Sequence, residues 1–356
     1  MDYNSIRRKT KAIRVGGVGI GGDAPVSIQS MTNTDTHDLA ATHRQVEALA
    51  AAGCDIVRIT APDLASVDTF CKLKQMGVSV PLVADIHFDY KIAVAVAPFV
   101  DKIRINPGNI GDASKIKEVV KACLEYSLPI RIGVNSGSLE DKFLKKYSAP
   151  TPEALAESAM YHIDLLRDLD FHSIAVSVKS SDPYSMIRAN EILADATDIP
   201  IHLGVTEAGE GESAIVKSSI GIGALLARGI GDTVRVSLTD DPIFEADAAR
   251  RILSSLGIIN GGMNIVGCPT CGRTKIDLIS LMRRFKSEVK ARGLENKNIT
   301  VALMGCAVNG PGEAREADIG IAGGNGEGLI FKRGEIVKKV KEDELLSELL
   351  FEIEQM

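Results

Sequence analysis

One pattern recurs eight times between Val26 and Leu238: a short β-branched run, a polar tip, then an amphipathic helical stretch. The runs are VSIQSM (26–31), DIVRIT (55–60), PLVADIH (81–87), DKIRIN (101–106), PIRIGVN (129–135), SIAVSV (173–178), PIHLGV (200–205) and TVRVSL (233–238). Stretches such as HRQVEALAAAG and ASKIKEVVKACLEY separate them. A helix between successive strands carries the chain back to its starting edge, so the strands pair in parallel. Eight units in about 210 residues fit a closed (β/α)8 TIM barrel, with an open doubly wound sheet as the runner-up.

After the eighth run, DPIFEADAARRILSSLG reads as the closing helix, with Gly257 as its stop signal. The pattern then changes. A helix over 277–291, the strand ITVALMG (299–305), a helical turn near 312–317, the strands ADIGIAGG and GLIFKRG, and a last helix over 342–354 describe a small α+β domain. The fold class is therefore α/β: a barrel over 1–257, a short linker over 258–264 and a second domain over 265–356. Gly17, Gly19 and Gly22 match a dinucleotide-binding GxGxxG, but Asp23-Ala24-Pro25 and a strand follow instead of a helix. No helix N-terminus is available for a phosphate, so this segment reads as a hairpin plugging the barrel floor.

Alternation along the strands assigns each side chain to one face. Ile103 and Ile105 share the outward parity, which turns Arg104 and Asn106 inward. The same rule puts Arg58 and Thr60, Asp85 and His87, Arg131 and Asn135, Ser177 and Lys179, and Arg235 and Ser237 inside. These groups lie toward the C-terminal strand ends, where barrel active sites form. So many cations among few carboxylates would be costly in a sheltered mouth unless an anion occupied it. Guanidinium forks suit phosphoryl oxygens, so a phosphorylated ligand is expected, against the alternative of internal pairing with Asp85 or Glu207.

A net charge of −6 argues against general nucleic-acid binding. No apolar run approaches membrane-spanning length, and the basic start leads into AIRVGGVGIGG instead of a signal core, which points to the cytoplasm. The six cysteines are too few for a disulfide scaffold at this length. Cys54, Cys71 and Cys123 fall in barrel patterns as small hydrophobes. Cys268 and Cys271 form CPTC, and Cys306 lies in GCAVNGPGE with Glu313 at its end. Three thiols and a carboxylate leave open an iron–sulfur site, a structural zinc and a redox dithiol. No fourth cysteine or any histidine follows residue 202, which disfavours zinc, and Glu313 is the candidate to complete the set.

The stretches QSMTNTDTHD, ADIHFDY, RINPGNIG, RIGVNSGSL, VSVKSSD, GVTEAGEG, GCPTCGR and MGCAVNGPGEA together make the chain resemble the 4-hydroxy-3-methylbut-2-enyl diphosphate synthases, iron–sulfur enzymes of the non-mevalonate isoprenoid pathway. The resemblance covers nearly the whole chain, and the short linker is unlike members that carry an inserted domain. It implies a 4Fe–4S cluster held by Cys268, Cys271, Cys306 and Glu313, and reductive ring opening of 2-C-methyl-D-erythritol 2,4-cyclodiphosphate. Arg58, Arg104, Asn106, Arg131, Asn135, Lys179 and Arg235 would bind that substrate; Glu207 would serve as general acid, with Asp85 and His87 orienting groups or relaying protons. Carboxylate is a weaker partner for iron than thiolate, so Glu313 would be the ligand most easily displaced.

Reduced flavodoxin or ferredoxin is the expected electron donor. A helix over 242–256 would run more than about 20 Å back toward the floor, leaving the second domain at the wrong end of its own barrel. A head-to-tail homodimer follows as an expectation. The rivals are a zinc-stabilised pterin- or phosphosugar-type barrel enzyme and a module that senses oxygen or iron without turnover.

Overall fold

The computed structural model describes residues 3–111, 113–306 and 314–356. They form two compact units, the first running to Ile259 and the second from Asn260 to Met356. The first opens with a short helix, Tyr3–Ile6, and then an antiparallel hairpin, β1 (Ile13–Val15) and β2 (Val18–Ile20), turning at Gly16 with φ +54°. Eight parallel strands follow: β3 (Ser27–Met31), β4 (Ile56–Thr60), β5 (Leu82–Ile86), β6 (Lys102–Ile105), β7 (Ile130–Asn135), β8 (Ile174–Lys179), β9 (His202–Leu203) and β10 (Thr233–Val234). Neighbours in the chain are neighbours in the sheet, β10 pairs back onto β3, and a bridge between Val176 and Ile201 joins β8 to the approach of β9. The sheet is a closed barrel.

Its outward residues, such as Val57, Ile59, Ile86, Ile103, Ile105, Ile132 and Val178, pack into one core with the surrounding helices. The helices start where the sequence supplies caps. Asp38, Asp89, Thr151, Asp182 and Asp241 each accept a hydrogen bond from a first-turn N–H, and proline follows directly at residues 152, 183 and 242. These caps set the C-terminal rim of the barrel. At the other end, Ile13, Val15 and Ile20 of the hairpin close against Ile56, Val83 and Ala175. The glycine-rich start is thus a floor plug.

β9 and β10 are shorter than the runs 200–205 and 233–238. Arg235 N still donates to Leu203 O at 2.9 Å, but the ladder ends at Gly204. A Cβ there would meet Arg235 O at 2.4 Å and Lys179 Nζ at 2.8 Å. The backbone approach needs glycine, and it makes room for the lysine. The last barrel helix, Pro242–Ser255, ends at Gly257 (φ +67°), with Gly257 N on Ser254 O and Ile258 N on Leu253 O. Glycine in the left-handed region there terminates the helix without a Cβ penalty.

The second unit is one five-stranded sheet in sequential order: β11 (Asn264–Gly267), β12 (Thr300–Met304), β13 (Ile319–Gly323), β14 (Glu327–Lys332) and β15 (Glu335–Lys341). The first three strands are parallel and the last two join as antiparallel hairpins. Helices Leu278–Ala291 and Leu345–Glu354 cover one face through Phe285, Leu349 and Ile353, which pack with Val301, Leu303, Ile319 and Ile321. Two of these strands have no counterpart in the sequence reading. β11 is a half-buried edge of a few residues, and β15, EIVKKVK, is exposed at every position but Val340. Lysines along an outer strand discourage further pairing, and they also erase the alternation that marks a strand.

Candidate functional site

The barrel interior is polar from its middle layer upward. Alternation places Gln29 and Met31 of β3, Arg58 and Thr60 of β4, Asp85 of β5, Lys102 and Arg104 of β6, Arg131 and Asn135 of β7, and Ser177 and Lys179 of β8 on the inner face. At the C-terminal end a cavity of about 200 Å³ is lined by Met31, Arg58, Thr60, Asp85, His87, Arg104, Arg131, Asn135, Ser177, Lys179, Thr206 and Arg235. Most of the charged residues expected in the mouth meet there.

Asp85 is the hub. Its Oδ1 takes Arg104 Nη1 at 3.0 Å and its Oδ2 lies 3.5 Å from Arg58 Nε. Burial alone would raise its pKa, but the two guanidinium charges outweigh burial and hold the carboxyl below the usual range. Arg58 Nη2 also points at Met31 Sδ, 2.9 Å away. Desolvation pushes Arg58 down to about 10 against the pull of Asp85. Asn135, with its amide oxygen turned toward Arg104, accepts from Nη2 at 3.3 Å. Gly133 leaves space for the same guanidinium, since a Cβ there would lie 2.5 Å from Arg104 Nε.

Arg235 is held differently. Glu245, from the helix after β10, accepts from its Nη2 at 2.8 Å and its Nε at 3.1 Å, and also receives Ser30 Oγ and Leu238 N. Arg131 and Lys179 have no ion pair among the described residues. Arg131 is 1% exposed, and its Nε and Nη1 have no hydrogen-bond partner. Burial drives the pKa of Arg131 and of Lys179 well below the ordinary values, reinforced by the neighbouring cations. Donors left this way imply an acceptor that arrives from outside.

His87 stands at the rim, open to solvent on one side, with Nε2 3.4 Å from Arg104 Nη1. Partial desolvation lowers its pKa, opposed by Asp85, so the imidazole is neutral near pH 7. Two expected residues have other positions. Asn106 does not line the cavity; it caps the short helix Pro107–Ile110, its Oδ1 accepting from Gly108 N. Glu207 is exposed in the loop after β9, with φ +52°, and it is Thr206 that reaches the cavity wall. The sequence reading missed Lys102, Gln29 and Glu245. Lys102 shares the parity of Arg104 and could have been found by it, whereas nothing in a helix marks Glu245 as a partner of Arg235.

In the second unit two of the three cysteines follow the C-terminal ends of adjacent parallel strands. Cys268 directly follows β11; its N donates to Leu303 O, and its Sγ accepts from Gly305 N, both at 3.3 Å. Cys306 lies just beyond β12 and is buried, while Cys271 is exposed on the intervening loop. That loop is tied to β12 by Lys275 N on Gly305 O at 2.8 Å, and turned by Thr274 N on Cys271 O. Thiols gathered on neighbouring strand ends, one already receiving a backbone N–H, suit a thiolate-ligated metal or cluster. Glu313 lies outside the described residues, among which no metal-binding cluster of His, Cys, Asp or Glu is formed. Burial raises the pKa of Cys54 and Cys123 to about 12, which leaves them inert thiols.

Comparison with known proteins was consistent along the chain. The GcpE TIM-barrel domain matches residues 10–250 and the GcpE protein C-terminal domain matches residues 264–355. A 4-hydroxy-3-methylbut-2-en-1-yl diphosphate synthase (flavodoxin) of Clostridium perfringens is 54% identical, covering 98% of this chain and 99% of that protein. Proteins of the same name from Geobacter sulfurreducens (51% identical; 99% of each chain) and Geobacillus thermodenitrificans (51% identical; 98% of this chain and 93% of the other) are similar. A solved type I 3-dehydroquinate dehydratase from Clostridium difficile covers 70% of this chain and 98% of its own at a TM-score of 0.50 with 12% identity, which shows the barrel fold alone.

Proposed function

The chain belongs to the GcpE family, and from that membership we propose that it catalyses the reductive ring opening of 2-C-methyl-D-erythritol 2,4-cyclodiphosphate to 4-hydroxy-3-methylbut-2-enyl diphosphate. The bond from the diphosphate to the tertiary carbon breaks, the neighbouring hydroxyl leaves with a proton as water, and a double bond forms between the two carbons. An electron pair from outside balances the change. The observation that carries the reading is the buried Arg131 with its unpartnered donors in a cation-lined cavity.

Arg131, Arg104, Arg58 and Lys179 bind the diphosphate, with Asn135 beside Arg104. Asp85 orients two of the guanidinium groups, and Glu245 fixes Arg235 at the wall. A site whose charges are held by its own scaffold needs little rearrangement when substrate enters. His87, neutral at the rim, accepts or donates a hydrogen bond to the sugar. Glu207, one residue beyond the cavity-lining Thr206, supplies the proton to the departing hydroxyl. Cys268, Cys271 and Cys306, with Glu313 as a displaceable fourth ligand, would hold a 4Fe–4S cluster. When bound, that cluster delivers electrons from reduced flavodoxin, or from ferredoxin.

The last barrel helix returns the chain to the N-terminal side of its strands, with Arg250 Nη2 3.5 Å from Ala52 O just before β4. This supports a homodimer in which each subunit's cysteines serve the partner's barrel. Mixed dimers of Cys306→Ser and Arg104→Ala subunits should then recover activity that neither homodimer shows. The function itself is tested by anaerobic assay of the reconstituted enzyme with the cyclic diphosphate and reduced flavodoxin. Linear product and iron in the protein are expected. A colourless zinc protein that is stable in air and makes no linear diphosphate would contradict the reading.

A further inference from the structure

Beneath the cavity lies a lysine that the proposed chemistry does not use, and the following inference rests on the diphosphate reading of that cavity. Lys102 sits on β6 two residues before Arg104 on the same face, so it enters the barrel about 6–7 Å nearer the floor. It is 0% exposed. Its amine donates to Gln29 Oε1 at 3.3 Å, and no carboxylate pairs with it among the described residues.

The groups that face it are neutral or cationic. Gln29 comes from β3, Arg58 from β4, Arg131 from β7 and His202 from β9, while its ladder neighbour on β5 is Val83. Val83 itself packs on the apolar hairpin plug. The interior carboxylate Asp85 is already shared by Arg58 and Arg104. Gln29 Nε2 and His202 Nε2 are buried without partners as well. An ammonium in this layer meets desolvation and repulsion with no opposing charge. Both lower its pKa, desolvation most.

We propose that Lys102 is a positioning residue for the diphosphate, uncharged in the empty barrel and protonated when the anion settles above it on Arg131 and Arg58. The anion replaces a purely repulsive field with an attractive one, and solvent supplies the proton. Ring opening then creates a linear diphosphate with one more ionisable oxygen than the cyclic form, so a charged amine below the site holds the product's added charge. The proton returns to solvent when product leaves.

The test is titration calorimetry of the oxidised holoenzyme with 2-C-methyl-D-erythritol 2,4-cyclodiphosphate, without reductant, near pH 8 in buffers of different ionisation enthalpy. Each phosphoryl group of the cyclic ligand bears one strongly acidic proton, so the ligand itself contributes none. Wild-type protein should take up about one more proton per ligand than Lys102→Met. Lys102→Arg keeps the cation but cannot shed a proton, and it should lose the uptake too.

As pH rises above the amine's empty-barrel pKa, wild-type affinity should also weaken by about tenfold more per pH unit than that of Lys102→Arg, until the pKa of the bound state is passed. Equal uptake in wild type and both variants would overturn the proposal. Should Lys102→Met fail to fold, equal uptake in wild type and Lys102→Arg, or a wild-type affinity that weakens with pH no more than that of Lys102→Arg, would do so. Binding without proton uptake refutes this inference alone, whereas no binding of the cyclic diphosphate refutes the proposed function and this inference with it.

Discussion

The two candidate centres share one architectural position and differ in how their described residues are held and enclosed. Both lie at the C-terminal ends of parallel strands, in the barrel and in the small sheet. In the barrel, Asp85 and Glu245 hold Arg58, Arg104 and Arg235 in place, and the unmet donors belong to buried side chains. In the small sheet the backbone is tied together by Lys275 and Gly305, but Cys271 is exposed and Cys268 only half-buried. A rigid charged pocket suits a ligand that must be held and aimed. Thiols of such unequal exposure, with Cys306 buried beside them, suit a group that brings its own bonding when it binds.

The contrast can be broken at the barrel first. Asp85→Asn leaves Arg58 and Arg104 buried beside one another without a counter-charge, and should cost about 3–5 kcal/mol of stability in the substrate-free protein. Denaturant unfolding reads this, and saturating cyclic diphosphate should restore part of the loss. The same residue shapes acid stability. Its folded pKa lies below the unfolded value near about 4, so its contribution is present above that pH and fades as pH falls through the folded value. Asp85→Asn should flatten that part of the acid limb, and an unchanged limb would show that the carboxylate is not held by its arginines.

Arg131→Met removes the least satisfied donors and is expected to weaken substrate binding by about 2–5 kcal/mol, seen in Kd with the fold intact. Gly133→Ala sharpens the comparison further. A methyl 2.5 Å from Arg104 Nε must move the guanidinium, and KM should rise about tenfold, with a smaller change in unfolding midpoint. At the far end of the scale, Lys338→Ala on the exposed strand β15 removes a surface pair with Glu348 and should leave the midpoint unchanged within error.

Much of the barrel was legible because its physics is local. In RIGVN, Arg131, Gly133 and Asn135 alternate with Ile132 and Val134, and that period alone separates cavity from core. The cysteine spacing alone left a cluster, a zinc site and a redox dithiol open, and only the family resemblance chose among them. Glu245 was not legible, since its partner lies across a strand–helix turn and its helix reads as ordinary. Asn106 misled because an inward-facing residue at a strand end is also where the next helix needs its cap, and the cap won. Glu207 was placed only by its position after a strand; beyond Leu203 the ladder stops, so strand parity does not fix which way its side chain points. β15 was hidden by the lysines that keep an edge strand from pairing further.

The division of labour between the centres is tested most directly by measuring iron content and cyclic-diphosphate affinity together in Cys306→Ser and Arg131→Met. Cys306→Ser should lose iron and turnover while still binding substrate at the barrel; Arg131→Met should keep its iron and lose the binding. A Cys306→Ser protein that retains iron and turnover, or an Arg131→Met protein with wild-type affinity, would contradict the account.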